Sequence, residues 1–376
     1  ALVFRYTVAE GNTDSSNLLV SSSSGTITDT AGGAAASASG DLGTVVVDGD
    51  TPDMTGCDAT DGDYGVGEAI SITCTFDEAV TVTGTPTITL SNSDVASYAS
   101  GSGNAGIVFT TTVAQGESAS SDLSVSSIQN TAGGATMKDG AGNAISTTIT
   151  GGDLGTVTVD GAVPVFSSVA ATDGDYGVGE ALSITVTWGE AVVVSGTPTL
   201  TLSNNDVATY VSGSGTTALV FSTTIAEGDT ASADLSVSSF GGTITDAAGG
   251  AAGAASGDLG SVTVDGDAPD LSSVADTTGD GAYGVGETIS ITVTWDEAVV
   301  TSNGALTLSN SASAAYSSGS GSTAIVFTYT VAEGNTDSAD LSVTAYTGTI
   351  ADAAGGAAAA TGTVDLGSVT VDGDAP

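Results

Sequence analysis

The sequence contains no histidine, and its only basic residues are Arg5 and Lys138, against 44 aspartates and glutamates. The resulting formal net charge of −42 excludes a nucleic acid as a partner, because phosphate binding requires a basic surface. The same charge disfavours an anionic membrane surface. No stretch approaches the run of about 18 apolar residues that a membrane-spanning helix needs. We therefore expect no membrane insertion in this segment.

The residues that usually carry catalysis are also scarce. There is one lysine, no histidine, and the only cysteines are Cys57 and Cys74. Paired carboxylates can hydrolyse glycosides, but the acidic pairs recur in every repeat and no aromatic-rich cleft accompanies them. We predict that the chain is not an enzyme and has no catalytic residues.

Valine, threonine and isoleucine alternate with polar residues throughout, as in "ALSITVTW" at 181–188, and glycine, serine and aspartate separate the runs. Disordered acidic chains are poor in β-branched residues, and no window has a helical period. This pattern predicts short β-strands. The "SGTP" at 195–198 is either a bulge or a turn.

The chain is built from internal repeats. A "VF" element recurs with its phenylalanine at positions 4, 109, 221 and 327, and "VDGD(T/A)P" ends at Pro52, Pro269 and Pro376, with "VDGAVP" ending at Pro164. The period of 105–112 residues is typical of an immunoglobulin-like (Ig-like) domain. We predict an all-β fold of tandem Ig-like β-sandwich domains, about seven strands each, arranged end to end.

These markers divide the chain into a half-repeat (1–52), repeat 1 (53–164), repeat 2 (165–269) and repeat 3 (270–376). The half-repeat is the C-terminal half of an Ig-like repeat and cannot bury a sandwich core alone. Either the segment is cut from a longer chain, which we favour, or a neighbouring molecule supplies the missing strands.

The two cysteines replace valines of the other repeats. Cys57 aligns with Val169 and Val274, and Cys74 aligns with Val186 and Val293. Two such changes at positions expected to be neighbours predict a disulfide. It would close a loop of about 18 residues and contribute about 3 kcal/mol to stability. A disulfide also indicates an oxidising, extracytoplasmic setting. Two buried free thiols are the alternative.

Acidic residues concentrate at one end of each predicted sandwich. The turn "DGDYGVGE" (61–68, again at 173–180), the turn "AEGD" and the exit "VDGD" meet there, while Asp296, Glu297 and Asp352 of the next repeat face the same junction. Oxygen ligands in flexible loops without His or Cys favour Ca²⁺. A solvated turn is the alternative for each acid taken singly.

The candidate metal ligands are Asp48, Asp50, Asp61, Asp63, Glu68, Asp160, Asp173, Asp175, Glu180, Glu227, Asp229, Asp265, Asp267, Asp280, Glu287 and Asp296. Two repeats depart from these acidic motifs: Ala162 replaces the second aspartate in "VDGAVP", and Ala282 replaces the second aspartate of "DGD". We therefore expect calcium occupancy to differ between junctions. The stretch "KDGAGN" (138–143) is either a contact loop or, as we favour, an ordinary insertion.

Assembled from these repeats, the string "GVGEAISITVTWDEAVVVSGTPTLTLS…GTITDAAGG…VTVDGDAP" resembles the tandem Ig-like repeats of giant bacterial surface proteins. These include calcium-dependent adhesins of the RTX type and cyanobacterial swimming-associated surface repeats. The resemblance implies an extracellular array on a bacterial cell surface, with Asp61, Asp63, Asp173, Asp175 and the "VDGD" pairs as expected calcium ligands.

We therefore expect a structural spacer or filament shaft, stiffened by calcium between domains, whose partners are neighbouring repeats of the same or a longer chain. Self-association into filaments by strand exchange is a variant of this hypothesis. The alternative is an adhesive module whose domains recognise a glycan or a protein. That function would require a patch peculiar to one repeat, and the repeats differ little.

Overall fold

The computed structural model describes residues 1–130, 132–358 and 362–375. Strands dominate, and in this part of the chain the helical structure is one 3₁₀ turn at Ala132–Gly134. No helix among these residues is long and apolar enough to cross a membrane. The chain divides into two compact units, unit 1 with Ala1–Val163 and Ala247–Ala251, and unit 2 with Pro164–Asp246 and Ala252–Pro376.

Unit 1 contains the half-repeat and repeat 1. Its strands are β1 (Leu19–Val20), β2 (Gly40–Asp41), β3 (Met54–Ala59), β4 (Gly62–Tyr64), β5 (Ala69–Thr83), β6 (Thr87–Leu90), β7 (Val95–Ser100), β8 (Asn104–Thr112), β9 (Val125–Gln129), β10 (Thr136–Lys138) and β11 (Val157–Val159). In repeat 1 the sheet order is β10-β5-β8-β7-β6-β9, and β3 also pairs with β5.

Unit 2 contains repeat 3 and all of repeat 2 except Ala247–Ala251. The strands of repeat 2 are β12 (Phe166–Ala171), β13 (Gly174–Tyr176), β14 (Ala181–Leu202), β15 (Val207–Ser212), β16 (Thr216–Thr224), β17 (Ser236–Thr245), β18 (Gly257–Asp258) and β19 (Val262–Val264). Those of repeat 3 are β20 (Leu271–Asp276), β21 (Gly281–Tyr283), β22 (Thr288–Val299), β23 (Ala305–Leu308), β24 (Ser313–Ser318), β25 (Ser322–Thr330), β26 (Ser342–Thr347), β27 (Val364–Asp365) and β28 (Val369–Val371).

Each repeat wraps its strands around one core. In repeat 3 the order β20-β22-β25-β24-β23-β26-β27 forms one continuous sheet. Alternate residues of β22 face inward, so that Ile289, Ile291, Val293 and Trp295 are at most 2% exposed. Val343 of β26 and Leu366, which follows β27, belong to the same hydrophobic cluster, and Leu271 and Val274 of β20 pack against it. Repeats 1 and 2 have separate clusters of their own. The fold is therefore all-β, with tandem Ig-like sandwich domains.

Among the described residues, repeats 1 and 3 have nine strands and repeat 2 has eight instead of the expected seven, in part because the motif "DGDY" contains a strand of its own. In each repeat this short strand pairs in parallel with the last strand, β4 with β11, β13 with β19 and β21 with β28. The "SGTP" stretch lies within the long strand β14, where the register with β17 shifts between Ser195 and Thr199. In repeat 2 it is therefore a bulge.

Cys57 on β3 and Cys74 on β5 form a disulfide with an S–S distance of 2.04 Å. They are direct partners in the register of the two strands. The valines that replace them are also partners, Val169 with Val186 and Val274 with Val293. The disulfide thus joins a pair of positions that the other repeats fill with packed valines.

Residues of the half-repeat are more exposed than their equivalents in the whole repeats. Phe4 is 76% exposed, whereas Phe327, its equivalent in repeat 3, is fully buried. Phe327 lies on β25, which pairs with β22 on one side and β24 on the other. The half-repeat contains only β1 and β2 among its described residues, so the inward face of its sequence remains open.

Candidate metal centre

The strongest acidic cluster lies in unit 2, where repeat 2 is followed by repeat 3. One carboxylate oxygen from each of Asp265, Glu297 and Asp352 lies within 4.8 Å of the other two. Asp265 and Glu297 are half-buried, and Asp352 is only 5% exposed. The three side chains come from the exit of repeat 2, a strand of repeat 3 and a loop of repeat 3.

Asp265 follows β19 directly and is fixed to its own domain. Its backbone N–H donates to the carbonyl oxygen of Tyr176, 2.9 Å away. Its Oδ1 accepts the backbone N–H of Asp267 at 3.3 Å, which closes the "VDGD" turn. The carboxylate is therefore held at the start of the linker.

Glu297 lies on β22 in the sequence "WDEA". The preceding Asp296 is occupied locally, because its Oδ1 accepts the backbone N–H of Asp270 at 2.8 Å. The backbone N–H of Asp296 donates in return to the Asp270 carbonyl. Asp296 thus secures the first residues of repeat 3, while Glu297 is the member of the pair in the cluster.

Asp352 opens a tight loop that ends at Gly356. The N–H of Asp352 donates to the carbonyl of Gly356 at 3.0 Å, and the N–H of Gly356 donates to Asp352 Oδ1 at 2.9 Å. Asp352 Oδ2 is buried and has no hydrogen-bond partner. A buried carboxylate oxygen without a partner is costly, and a bound cation would satisfy it.

The electrostatics of this cluster indicate a shortage of positive charge. Burial, followed by the nearby carboxylates of Asp265, Asp352, Asp296 and Asp267, raises the pKa of Glu297 from 4.5 to about 7. A cation among these oxygens would reverse the shift, because an opposite charge favours the ionised carboxylate.

Unit 1 contains the equivalent cluster, formed by Asp48, Glu78 and Asp139, with oxygens again within 4.8 Å of one another. Burial raises the pKa of Glu78, with Asp139 and Asp48 as the next causes. Here Asp139 is fully hydrogen-bonded, because Oδ1 accepts the backbone N–H groups of Gly142 and Asn143 and Oδ2 accepts the Asn143 side chain. The "KDGAGN" stretch also contacts the preceding linker, because the Asn143 side chain donates to the carbonyl oxygens of Asp48 and Asp50; these contacts support a contact loop over the ordinary insertion that we favoured.

Acidic side chains also lie close together at two further places. Asp337, Asp372 and Asp374 lie within the same distance of one another at the exit of repeat 3, but all three are exposed. In repeat 2, oxygens of Glu190 and Asp246, the equivalents of Glu297 and Asp352, lie within 4.8 Å of each other. Asp160, the equivalent of Asp265, accepts the backbone N–H of Ala162 in its own turn.

The aspartates of "DGDY" are engaged within their own domains. Asp61 Oδ1 accepts the backbone N–H of Thr156 at 2.8 Å, and Asp63 Oδ1 accepts the hydroxyl of Thr158. The corresponding acceptors in the later repeats are Asp173, Asp175 and Asp280, which accept from Ser261, Thr263 and Ser368. These carboxylates fix the short parallel strand pair rather than joining any of the clusters above.

The remaining sequence-predicted acids also have local partners. Glu68, Glu180 and Glu287 each accept the backbone N–H of the glycine three residues earlier, namely Gly65, Gly177 and Gly284. Glu227 accepts from Ala268, and Asp229 accepts from Ala226. Asp50 is exposed, and its pKa is raised chiefly by Asp14. Asp267 is exposed at the linker beside the cluster.

Glu78, Asp139, Glu297 and Asp352 are missing from the list of candidate ligands, although Glu297 and Asp352 had been placed at the junction. A signal for them exists in the repeats. The glutamate of "FDEA", "WGEA" and "WDEA" stays glutamate while the residue before it changes, and every repeat has an aspartate at 29, 139, 246 or 352. These residues are identified by an acid that recurs at the same aligned position of each repeat, and not by the number of acids nearby in the sequence.

No protein-family model matches the chain, and no curated protein matches it. Among solved structures it is similar to the S-layer protein rSbsC(31-844), with 14% identity over 87% of this chain, a TM-score of 0.22, and 55% of that chain covered. It is also similar to the I9-I11 tandem from titin, with 9% identity over 84% of this chain and all (100%) of the other, and a TM-score of 0.30. The chain thus spans about half of the S-layer structure. At these TM-scores neither likeness carries an argument, and the fold assignment rests on the strands and cores.

Proposed function

We propose that the chain is a structural spacer of an extracellular surface protein, in which calcium stiffens the connection between consecutive Ig-like repeats. The observation that supports it most is the buried, partnerless Oδ2 of Asp352 beside Asp265 and Glu297. A solvated turn does not bury an unsatisfied carboxylate oxygen, whereas a bound cation would compensate the cost of burying one.

The donor set fits calcium better than other metals. It consists only of oxygens, which are the ligands that Ca²⁺ and Mg²⁺ prefer, and it comes from a linker, a strand and a glycine-rich loop. Such mixed and adjustable supports suit the irregular shell of Ca²⁺ better than the strict octahedron of Mg²⁺. Extracellular modules of this kind bind with dissociation constants of roughly 10⁻⁴–10⁻³ M.

Calcium at this position would act on the linker. Asp265 belongs to repeat 2, while Glu297 and Asp352 belong to repeat 3. Without a cation the carboxylates repel one another across the linker, and with a cation they all coordinate the same ion. Hence the cation would convert a hinge into a stiff connection, which is the property that a spacer needs.

We propose domain boundaries at 53–164, 165–269 and 270–376, preceded by the half-repeat 1–52, and the three separate cores support them. The Cys57–Cys74 disulfide supports an oxidising, extracellular location.

The test is thermal unfolding of the whole chain with calcium titrated against EGTA, in the parent and in Glu297→Gln. We expect calcium to raise the melting temperature of the parent. In the variant most of this rise should be absent. Asp340→Asn, which removes the same charge from an exposed turn of repeat 3, should respond like the parent. A melting temperature of the parent that ignores calcium would overturn the proposal.

A further inference from the structure

The cluster of Asp48, Glu78 and Asp139 and the cluster of Asp265, Glu297 and Asp352 differ at the last residue of one loop. The loop that begins at Asp139 in repeat 1 ends at Asn143, while the matching loop at Asp352 in repeat 3 ends at Gly356. The backbones agree, because the N–H of Asn143 donates to Asp139 Oδ1 at 2.8 Å, as Gly356 does to Asp352 Oδ1 at 2.9 Å. Neither residue has a positive φ. The difference is therefore confined to the side chain.

The Asn143 amide joins this loop to the linker that precedes repeat 1. Its Nδ2 donates to Asp139 Oδ2 at 2.7 Å, to the carbonyl oxygen of Asp50 at 3.0 Å and to that of Asp48 at 3.3 Å. The amide has two hydrogens, so one serves the carboxylate and the other is shared between the two backbone carbonyls of the "VDGD" turn.

Repeat 3 lacks this connection. With no side chain at Gly356, the Oδ2 of Asp352 stays buried without a partner. The linker is nonetheless close, since a β-carbon on Gly356 would lie 3.5 Å from the carbonyl oxygen of Asp267, the equivalent of Asp50. It would also collide with Asp352 Oδ2, the far end of a side chain that can rotate.

We propose that Asn143 is a cation-independent clasp, which keeps the linker of residues 48–50 bound to repeat 1 when calcium is withdrawn. The linker of residues 265–267 has no such clasp and depends on the cation. Hydrogen bonds from a neutral amide to carbonyls and a carboxylate need no metal, and they remove the unsatisfied oxygen that would otherwise demand one. The statement about residues 265–267 rests on the proposed function, and the statement about Asn143 does not.

The test is hydrogen–deuterium exchange of the whole chain in EGTA and in calcium, followed in peptides that span 47–52 and 264–269. The two reciprocal variants are Asn143→Gly, which copies repeat 3, and Gly356→Asn, which copies repeat 1. In EGTA we expect Asn143→Gly to accelerate exchange at 47–52 by about tenfold or more relative to the parent. We expect Gly356→Asn to slow exchange at 264–269 by a similar factor.

The outcomes separate the two proposals. If Asn143→Gly leaves exchange at 47–52 in EGTA unchanged, or if calcium slows that segment of the parent as strongly as it slows 264–269, the clasp is disproved. If calcium leaves 264–269 of the parent unchanged, the proposed calcium site fails, while the comparison in EGTA still decides the role of Asn143. Cleavage at the linker aspartates by an aspartate-specific protease provides a second readout on the same samples.

Discussion

Gly177, in the first turn of repeat 2, lies against Gly356, in the Asp352 loop of repeat 3, so closely that a β-carbon on Gly177 would stand 2.5 Å from the backbone nitrogen of Gly356. It would also lie 2.8 Å from the carbonyl oxygen of Ala354. The repeated turn "DYGVGE" is therefore part of a contact between consecutive repeats. Its glycine is required by space, because Gly177 does not have a positive φ.

We predict that Gly177→Ala destabilises this contact by about 1–3 kcal/mol, since the backbone atoms it meets cannot rotate away. The matched control is Gly284→Ala, which makes the same change in the turn of repeat 3, where the nearest atom is Glu287 Oε2 at 3.9 Å. Chemical denaturation of both variants checks the prediction. Equal losses of stability in both would show that the turn itself, and not the contact, needs glycine.

The metal-free protein should become more stable as the pH falls. The pKa of Glu297 is raised from 4.5 to about 7, chiefly by burial, so the folded state binds its proton more tightly than the unfolded state does. Stability therefore rises as the pH is lowered through the window from about 7 to about 4.5. With saturating calcium we expect this slope to weaken, because the cation and the proton compete for the same carboxylate.

Denaturant midpoints measured in EGTA between pH 8 and pH 5 test this effect. Replacing Trp188 by phenylalanine leaves Trp295 as the fluorescent probe, so that the signal reports the unfolding of repeat 3. Phenylalanine is suited to the position because Phe76 occupies it in repeat 1. Glu297→Gln should show a smaller slope. Identical slopes with and without the variant would contradict the assignment to Glu297.

Much of this architecture could be predicted from the repeats alone. Aligning them identified the strands and the disulfide, because a repeat that recurs in phase preserves which residues face inward. The ligand sets were harder. Asp61 and Asp63 lie in an acid-rich stretch, but their hydrogen-bond partners are distant in sequence: Thr158 in the last strand, β11, and Thr156 just before it. Pairing in parallel with that strand leaves no local signal.

For a related reason, the sequence alone does not predict that the Asn143 side chain contacts the linker before repeat 1. Its stretch differs from "DAAGG" only in side chains, and nothing nearby indicates that an amide at its end reaches carbonyls more than 90 residues away. Likewise, Glu297 and Asp352 become a pair only when the sheet brings a strand and a loop together.

We predict that replacing both Cys57 and Cys74 by valine lowers the stability of repeat 1 by about 3 kcal/mol, the contribution expected for closing a loop of this length. Valine should pack normally, because valine pairs occupy these positions in repeats 2 and 3. Denaturant unfolding with and without a reducing agent measures the difference. The reductant should destabilise the parent alone, and an equal effect on the variant would refute this account.

Two equivalent phenylalanines should respond oppositely to truncation. Phe327→Ala removes a fully buried ring that contacts Tyr346 with centroids 5.8 Å apart, and we expect a loss of about 3–5 kcal/mol. Phe4→Ala, at the same position of the half-repeat, should change stability by less than about 0.5 kcal/mol because its ring is exposed. A comparable loss at Phe4 would mean that the half-repeat closes a core of its own.

The most direct test of the central claim is sensitised terbium luminescence, with Tb³⁺ as the calcium probe and Trp295, two residues before Glu297, as the antenna in a Trp188→Phe background. We predict a saturable signal that calcium displaces. Asp352→Asn should shift the midpoint of the Tb³⁺ titration upward by about tenfold or more, as the loss of a carboxylate ligand implies. An unchanged titration in Asp352→Asn, or no sensitised signal in the parent, would contradict a cation site formed by Asp265, Glu297 and Asp352.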